Sequence, residues 1–460
     1  MSEDWEKLAG ETGEKVPTGR WKRTLKLGAM GARVTASSLL SRVGNRLVPG
    51  SAEDREEALK RAYEKNAARA VEALGQLKGA SMKIGQLLSA DPEMLPADFA
   101  ASLSSLQSDA PPMTYLTVKD QIEDALDRPL DAVFSYFDPD PVGAASLGQV
   151  HRATLSDGRE VAVKVQYPGV ADALESDLKT LKSMLIYARA VMDKERLEAY
   201  LAEIRSIMEQ ELDYTNEGRN LERFQGILAD REGVRSPAPV LEWTRPTVLV
   251  MEYMEGRKLD EALEEMEDRD RRREILTRWV ELFSWMFHEQ FALHADPHPG
   301  NFLLGAGDEL ILLDFGCVKD YEPGFADGFL DVLDAVWQDD RERAVRAFLG
   351  IGFGTELSES QVDKDLLAEY NEIVLAPFLS EEPFSFGEWS PAKDGRTFMM
   401  RHPSFFRLTP PPEALSYMRV LSGIKGLLAK MDAEIEVASM AVETARRRGR
   451  LTGEPRVFGR

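Results

Sequence analysis

Cysteine is nearly missing from this chain: Cys317 stands alone among 460 residues. One thiol excludes an intrachain disulfide and suits a reducing compartment. No apolar run approaches the ~20 residues that a membrane-spanning helix needs, and the opening MSEDWEKLAGETGEK is too acidic for a signal peptide. The five histidines and the lone cysteine show no zinc-ligand spacing. Positive charge is also short, 57 Lys and Arg against 79 Asp and Glu, for a net charge of −22. Phosphate backbones are held by surplus Lys and Arg, so no nucleic-acid partner is expected. No fixed-period repeat is present. What remains is an ordinary globular balance, 43% hydrophobic and 30% charged, with length for two or three domains.

The scarce positive charge is unevenly spread. Arg20, Lys22, Arg23, Lys26, Arg33, Arg42 and Arg46 follow one another with no acid between, interleaved with Trp21, Leu25, Leu27, Met30, Val34, Leu39 and Leu40. Two readings stand: a basic amphipathic helix on an anionic membrane surface, or a helix docked on the protein's own acidic body. From Glu53 to about Ala90 an apolar stripe (Leu59, Ala62, Tyr63, Val71, Leu74, Leu77, Met82, Leu87) has helical spacing. Asp98–Leu106 and Thr117–Leu126 read as further helices around a Pro111-Pro112 linker. Strand patterns then take over at Val133–Phe137, Gly148–Thr154, Val161–Gln166 and, after a long helical region, Thr247–Tyr253.

The segment HADPHPGNFLLGAGDELILLDFG carries the most specific chemistry. In protein kinases an aspartate orients the nucleophile, an asparagine five positions later holds one metal, and the aspartate of Asp-Phe-Gly holds the other. Asp296, Asn301 and Asp314 have that order and spacing. Phe302–Leu304 and Leu310–Leu313 read as two strands around the turn Gly305–Asp308, a hairpin that returns Asp314 to Asn301. Oxygen donors of this kind suit Mg²⁺, which binds through one or two protein carboxylates plus the nucleotide phosphates.

Val161-Ala162-Val163-Lys164 matches the strand whose lysine pairs with the α- and β-phosphates. One strand earlier, Val142–Val150 is the phosphate-loop candidate, Ser146 among its nucleotide-binding residues, with Ala144 and Ala145 where glycines are expected. The added Cβ atoms narrow φ/ψ space and stiffen the loop. The partner of Lys164 is sought in Glu209–Glu217, where Asp213 and Glu217 share a helical face at i, i+4 and Glu211 points elsewhere. Glu217 is the first candidate, with Glu211 the open alternative. Thr247–Gly256 reads as an apolar strand and connector, Met251 flanking an adenine pocket and the backbone of Glu252 and Met254 meeting the adenine edge. His294 and His298 read as structural and positioning residues, and Cys317 as a buried thiol.

With these residues placed, the chain resembles the UbiB family of atypical protein kinase-like proteins (aarF domain-containing kinases), linked to ubiquinone biosynthesis. The resemblance rests on GASMKIGQLLS with its Lys83-Ile84-Gly85-Gln86, GAASLGQVHRA, VAVKVQYPGV, ELDYTNEGRN, HADPHPGN and LDFG. It implies that Lys83 and its helix, with Gly85 and Gln86, fold over the active site, and that Glu211 and Asp213 form the family's Glu-x-Asp element. It implies too that the alanine loop alters nucleotide preference, and that the activity is ATP hydrolysis or phosphorylation of a small molecule. Gly79, Ala80, Ser81 and Gly85 independently allow close packing beside Lys83, whose charge then needs partners such as Glu211 and Asp213. No Ala-Pro-Glu follows Asp314, so a docked protein substrate is not expected.

The fold class is therefore α+β, a protein kinase-like two-lobed fold with an N-terminal helical extension. The expected divisions are a basic segment 1–50, a helical extension 51–130, a small lobe 131–255, and a helical lobe with a basic tail 256–460. Lys83, Lys164 and Asp296 are the catalytic candidates, with ATP or ADP and Mg²⁺ as cofactors. Expected partners are a nucleotide, a lipid or isoprenoid precursor, an anionic membrane surface and ubiquinone-biosynthesis proteins, in a cytoplasmic or peripheral-membrane setting. The competing readings are a phosphotransferase of the aminoglycoside or choline kinase kind and a nucleotide-responsive lipid-binding scaffold.

Overall fold

Helical spacing gives way to strand alternation just after residue 133, and the computed structural model turns that change into a sheet. The structure describes residues 112–455 except 146, 173, 176–177, 179–193 and 355–356. Lys83, Gly85, Gln86, Ser146, the basic segment 20–46 and the helical stretch ending near Ala90 lie outside the described residues. The chain divides into two units, one running to Gln225 and including Pro237–Met254, the other comprising Gly226–Ser236 and Glu255–Arg460.

The first unit begins with α1 (Tyr115–Leu126), capped by Thr114, whose side chain accepts from the Thr117 N–H. Its buried face, Val118, Ile122 and Leu126, follows the helical period. A sheet follows, built from β1 (Phe134–Phe137), β2 (Gly143–Ala145), β3 (Gly148–Leu155), β4 (Glu160–Gln166) and β5 (Val248–Glu252). All of its pairs are antiparallel, in the order β1-β3-β4-β5 with β2 added on β3. Strand β4 is buried along nearly its whole length, as its run of valine and alanine requires. Two helices, α2 (Lys194–Glu211) and α3 (Tyr214–Leu228), lie in sequence between β4 and β5.

The second unit is mainly helical. Its strands include β6 (Arg257–Lys258), β7 (Ala292–His294), β8 (Phe302–Leu304), β9 (Leu310–Leu312) and β10 (Val318–Asp320). Strands β8 and β9 form the antiparallel hairpin, and Val234–Arg235 adds to β9 in parallel. Strands β7 and β10 pair separately, with Val318 opposite His294. The helices are α4 (Leu259–Glu264), α5 (Arg269–His288), α6 (Pro323–Trp337), α7 (Arg341–Gly350), α8 (Lys364–Val374), α9 (Pro391–Arg401), α10 (Ala414–Lys430) and α11 (Val437–Arg447).

Helix α5 is central to this unit, with Ile275, Leu276, Trp279, Phe283, Met286 and Phe287 buried. Phe302 of the hairpin, fully buried, meets the edges of Trp279 and Phe283 at 5.8 and 5.9 Å. Burying such a ring contributes roughly 1.5–3 kcal/mol. Arg271 on α5 grips both oxygens of Asp308 in the hairpin turn at 2.6 and 2.7 Å. Gly307 there has φ of +68°, a left-handed conformation that glycine adopts without strain. Among the described residues no helix is long and apolar enough to cross a membrane.

Candidate active site

In the first unit, Lys164 sits mid-strand in β4, opposite Val150 of β3 and Leu249 of β5. Its Nζ donates to both carboxylate oxygens of Glu217, at 2.8 and 2.9 Å. Lys164 is 6% exposed and Glu217 1%, so little water screens the pair and each charge depends on the other. The Tyr214 ring, one turn earlier on α3, lies 5.0 Å from the ammonium, adding a cation–π contact.

Glu217 is thus the acid of the Glu209–Glu217 cluster that the structure brings onto Lys164. The single helical face expected for Asp213 and Glu217 is corrected: α2 ends at Glu211, α3 begins at Tyr214, and Asp213 stands between them. The Asp213 Oδ1 accepts the Thr215 N–H at 2.9 Å and also bonds the Thr215 hydroxyl. A short carboxylate bonding the backbone two residues on competes with the helical ladder, which is why the run breaks there. Gln166 Nε2 donates to the Leu212 carbonyl at the break, at 3.1 Å. Glu211 is buried at the end of α2.

Ala144 and Ala145 lie in β2, paired with Gln149 and Gly148, so the alanine-rich segment enters a tight hairpin. A Cβ on Gly148 would fall 2.1 Å from the Val165 carbonyl oxygen, so only glycine fits at this point of the β3–β4 pair. Gln149 carried no role in the sequence reading. Its Oε1 accepts the Met113 N–H at 2.7 Å and its Nε2 lies 2.7 Å from His151 Nε2. The His151 Nδ1 lies 2.8 Å from the Asp138 carbonyl, which can only accept, so Nδ1 carries the proton and Nε2 accepts from Gln149. Burial pushes the His151 imidazole down from its ordinary value, keeping that neutral form. Met251 is buried opposite Ala162, and the Glu252 N–H is spent on the Ala238 carbonyl at 2.7 Å. Met254 ends the unit's described run.

In the second unit, the strand pairs frame the acids. Asp296 follows β7, Asn301 precedes β8, and Asp314 follows β9. The Leu313 N–H donates to the Asn301 carbonyl at 2.9 Å, which closes the hairpin beside Asp314. His294 ties the two acidic segments together. Its Nε2 donates to the Asp314 carbonyl, and its Nδ1 accepts the Asp296 N–H at 3.4 Å. Burial lowers its pKa, which suits this neutral linking role. The Phe315 ring stands edge-on to His294 at 5.4 Å and is fully buried. His298 accepts the Gly300 N–H at 3.1 Å and so shapes the turn to Asn301. Cys317 is buried, and its carbonyl accepts the Ala295 N–H.

The donor chemistry fits a hard cation. Asn301 Nδ2 donates to the Asp296 carbonyl at 3.2 Å, so its Oδ1 is the end that remains to ligate. Asp314 Oδ1 accepts the Gly316 N–H at 2.9 Å, which fixes the carboxylate's aim. An amide oxygen and a carboxylate match the sparse protein share of an Mg²⁺ shell. Among the described residues no group of three or more His, Cys, Asp or Glu converges as a fully protein-held metal would need. One neighbour was invisible to motif reading: Arg419, on α10, whose Nη2 lies 2.9 Å from Asp296 Oδ1. On the same helix, a Cβ on Gly423 would fall 2.4 Å from Pro297 Cγ.

Comparison with known proteins identifies a family and relatives for the chain. The family described as ABC1 atypical kinase-like domain matches residues 105–348. A Caenorhabditis elegans protein described as atypical kinase coq-8, mitochondrial, is 32% identical over 82% of this chain, which spans 50% of that relative's length. Atypical kinase COQ8B, mitochondrial, from Rattus norvegicus is 29% identical, with 94% of this chain and 82% of the rat protein covered. Among solved structures, Rv3197 from Mycobacterium tuberculosis, in complex with erythromycin, matches with a TM-score of 0.58 and 27% identity. That match covers 85% of this chain and 98% of the other.

Proposed function

Because the chain belongs to the ABC1 atypical kinase-like family, the UbiB proteins, we propose that it is an ATP-binding, Mg²⁺-dependent phosphotransferase or ATPase. The buried Lys164–Glu217 pair is the observation that carries this reading. Burying a lysine ammonium of the sheet with a helix carboxylate costs desolvation, and phosphate binding is the use that kinase-like folds make of such a pair.

In this reading Lys164 grips the α- and β-phosphates, and the β2–β3 hairpin with Ala144, Ala145 and Ser146 covers them. Met251, Glu252 and Met254 meet the base, the last two through backbone atoms. Asn301 and Asp314 would hold the metal, which would supply positive charge against the phosphate oxygens. Asp296 orients the acceptor. For hydrolysis, the water oxygen bonds to Pγ as the bridging Pγ–O bond breaks, ADP leaves, and the water's proton passes by way of Asp296 to solvent. Lys83, Gly85, Gln86, Glu211 and Asp213 restrict access, which favours a small acceptor over a protein. The family resemblance supports a role in ubiquinone or other isoprenoid-lipid biosynthesis, on a lipid or isoprenoid precursor and at a membrane surface.

The test is ATP turnover by the purified full chain, with and without ubiquinone-precursor mimics and anionic liposomes. Asp314→Asn is expected to abolish the Mg²⁺-dependent part while the protein stays folded. A wild type that turns over no ATP under any of these conditions would overturn the reading.

A further inference from the structure

From Trp279 to Val318 the chain contains no lysine or arginine, although it holds Asp296, Asp308, Asp314 and several glutamates. The segment that carries the proposed metal ligands and acceptor-orienting acid thus brings no strong cation of its own. Within His294-Ala295-Asp296, the position that is arginine in the protein-kinase motif is Ala295, which is fully buried. Positive charge at Asp296 has to come from another element.

Helix α10 brings it. We propose that Arg419 is a positioning residue of the phosphoryl-transfer site, holding Asp296 Oδ1 so that the carboxylate meets an acceptor in one fixed orientation. This rests on the function proposed above. The Arg419 and Asp296 side chains are 10% and 12% exposed, so the ion pair is far less screened than a surface pair. A guanidinium keeps its charge throughout a catalytic cycle, and its planar fork fixes direction as well as distance.

A second observation locates the same helix on the same loop. Gly423 lies one turn beyond Arg419 on the same face, where its missing Cβ makes room for Pro297. Helix α10 therefore seats on two consecutive loop residues, Asp296 through Arg419 and Pro297 through Gly423. Any larger residue at 423 displaces either the helix or the loop, and with it the Arg419–Asp296 contact.

The experiment uses the full chain and separates kcat from KM for Mg-ATP in wild type, Arg419→Met, Arg419→Lys, Asp296→Asn and the Arg419→Met/Asp296→Asn double variant. Nucleotide binding by calorimetry and thermal melts accompany the kinetics. Arg419→Met is expected to lower kcat about 100-fold, the scale of a displaced acid–base group, with KM within about threefold. Arg419→Lys restores part of that loss, and the double variant is no slower than Asp296→Asn alone, because the two act as one unit.

Should Arg419→Met fail to fold, Gly423→Ala provides the reading. It leaves every charge in place and is expected to lower kcat about tenfold by moving the loop. The proposal is overturned by a kcat within threefold of wild type in Arg419→Met, by losses that multiply in the double variant, or by a raised KM with kcat intact. Absence of turnover in the wild type would overturn the proposed function as well, whereas normal wild-type turnover with an indifferent Arg419 overturns this inference alone.

Discussion

Lys164 is bound by both oxygens of Glu217, a residue 53 positions along the chain, and almost no solvent reaches either partner. Nothing about a Val-Ala-Val-Lys strand selects that acid among its neighbours. Packing of α3 against the sheet does.

Removing the acid should therefore cost more than removing the pair. Glu217→Ala is expected to destabilise the chain by about 3 kcal/mol, because it removes the carboxylate that accepts two hydrogen bonds from a buried ammonium. Lys164→Met/Glu217→Leu is expected to lose less than Glu217→Ala alone. Urea unfolding of the single and double variants checks this, and equal losses would contradict it.

Gln149 links three polar groups, the Met113 N–H, His151 and, through His151, the Asp138 carbonyl. Gln149→Leu leaves a buried amide and an imidazole nitrogen without those partners. A loss of about 2–6 kcal/mol is expected, at roughly 1–3 kcal/mol for each orphaned group. Hydrogen exchange at Met113 should accelerate in the same variant, and unchanged protection there would count against the linkage.

His151, His288 and His294 are each pushed below the ordinary imidazole value of 6.5 by burial, His288 down to about 4. Once the pH drops below 6.5 the unfolded chain takes up protons that the folded chain refuses. Stability is therefore full above that value and falls as the pH falls toward about 4. Each histidine contributes at most about 1.4 kcal/mol per pH unit within the window. Unfolding midpoints measured across this range should fall with acidification, and His288→Phe should make the slope shallower. A flat profile in the wild type would refute the assignment.

The tail beyond α11 looks merely basic in sequence, yet each of its alternate residues meets successive turns of α6. Arg448 bonds Asp327, Arg450 bonds Asp331, Thr452 bonds the fully buried Asp334, and Gln338 reaches the Glu454 carbonyl. Leu451 packs against the cluster around Trp337. Truncation after Arg448 is expected to destabilise by about 2–4 kcal/mol, since Asp334 keeps Arg343 but loses Thr452 while apolar surface is uncovered. A melting temperature unaltered by the truncation would show the tail to be a passive appendage.

The hairpin from Phe302 to Leu312 was legible because its signals are local: short apolar runs, a glycine turn, and a return length that strand geometry dictates. The β4 strand was legible for the same reason. The helical face drawn through Asp213 failed because side-chain capping at that aspartate outbid a periodic pattern that extends across it. The added strand Val234–Arg235 could not be read at all. Two residues hold no periodicity, and only their parallel partner Leu310–Ile311 makes them a strand.

By itself, the sequence determined the order and type of the chemical groups: a β-strand lysine, an acidic cluster, and an Asp-x₄-Asn hairpin ending in Asp-Phe-Gly. These depend on residue type and short spacings, which backbone geometry converts directly into local structure. Tertiary structure alone decided which acid reaches Lys164, that His294 bridges the Asp296 and Asp314 segments, and that Arg419, 123 positions along the chain, supplies the charge beside Asp296. Such pairings depend on where helices seat, and seating is settled by burial and shape complementarity summed over many residues, which no short motif encodes.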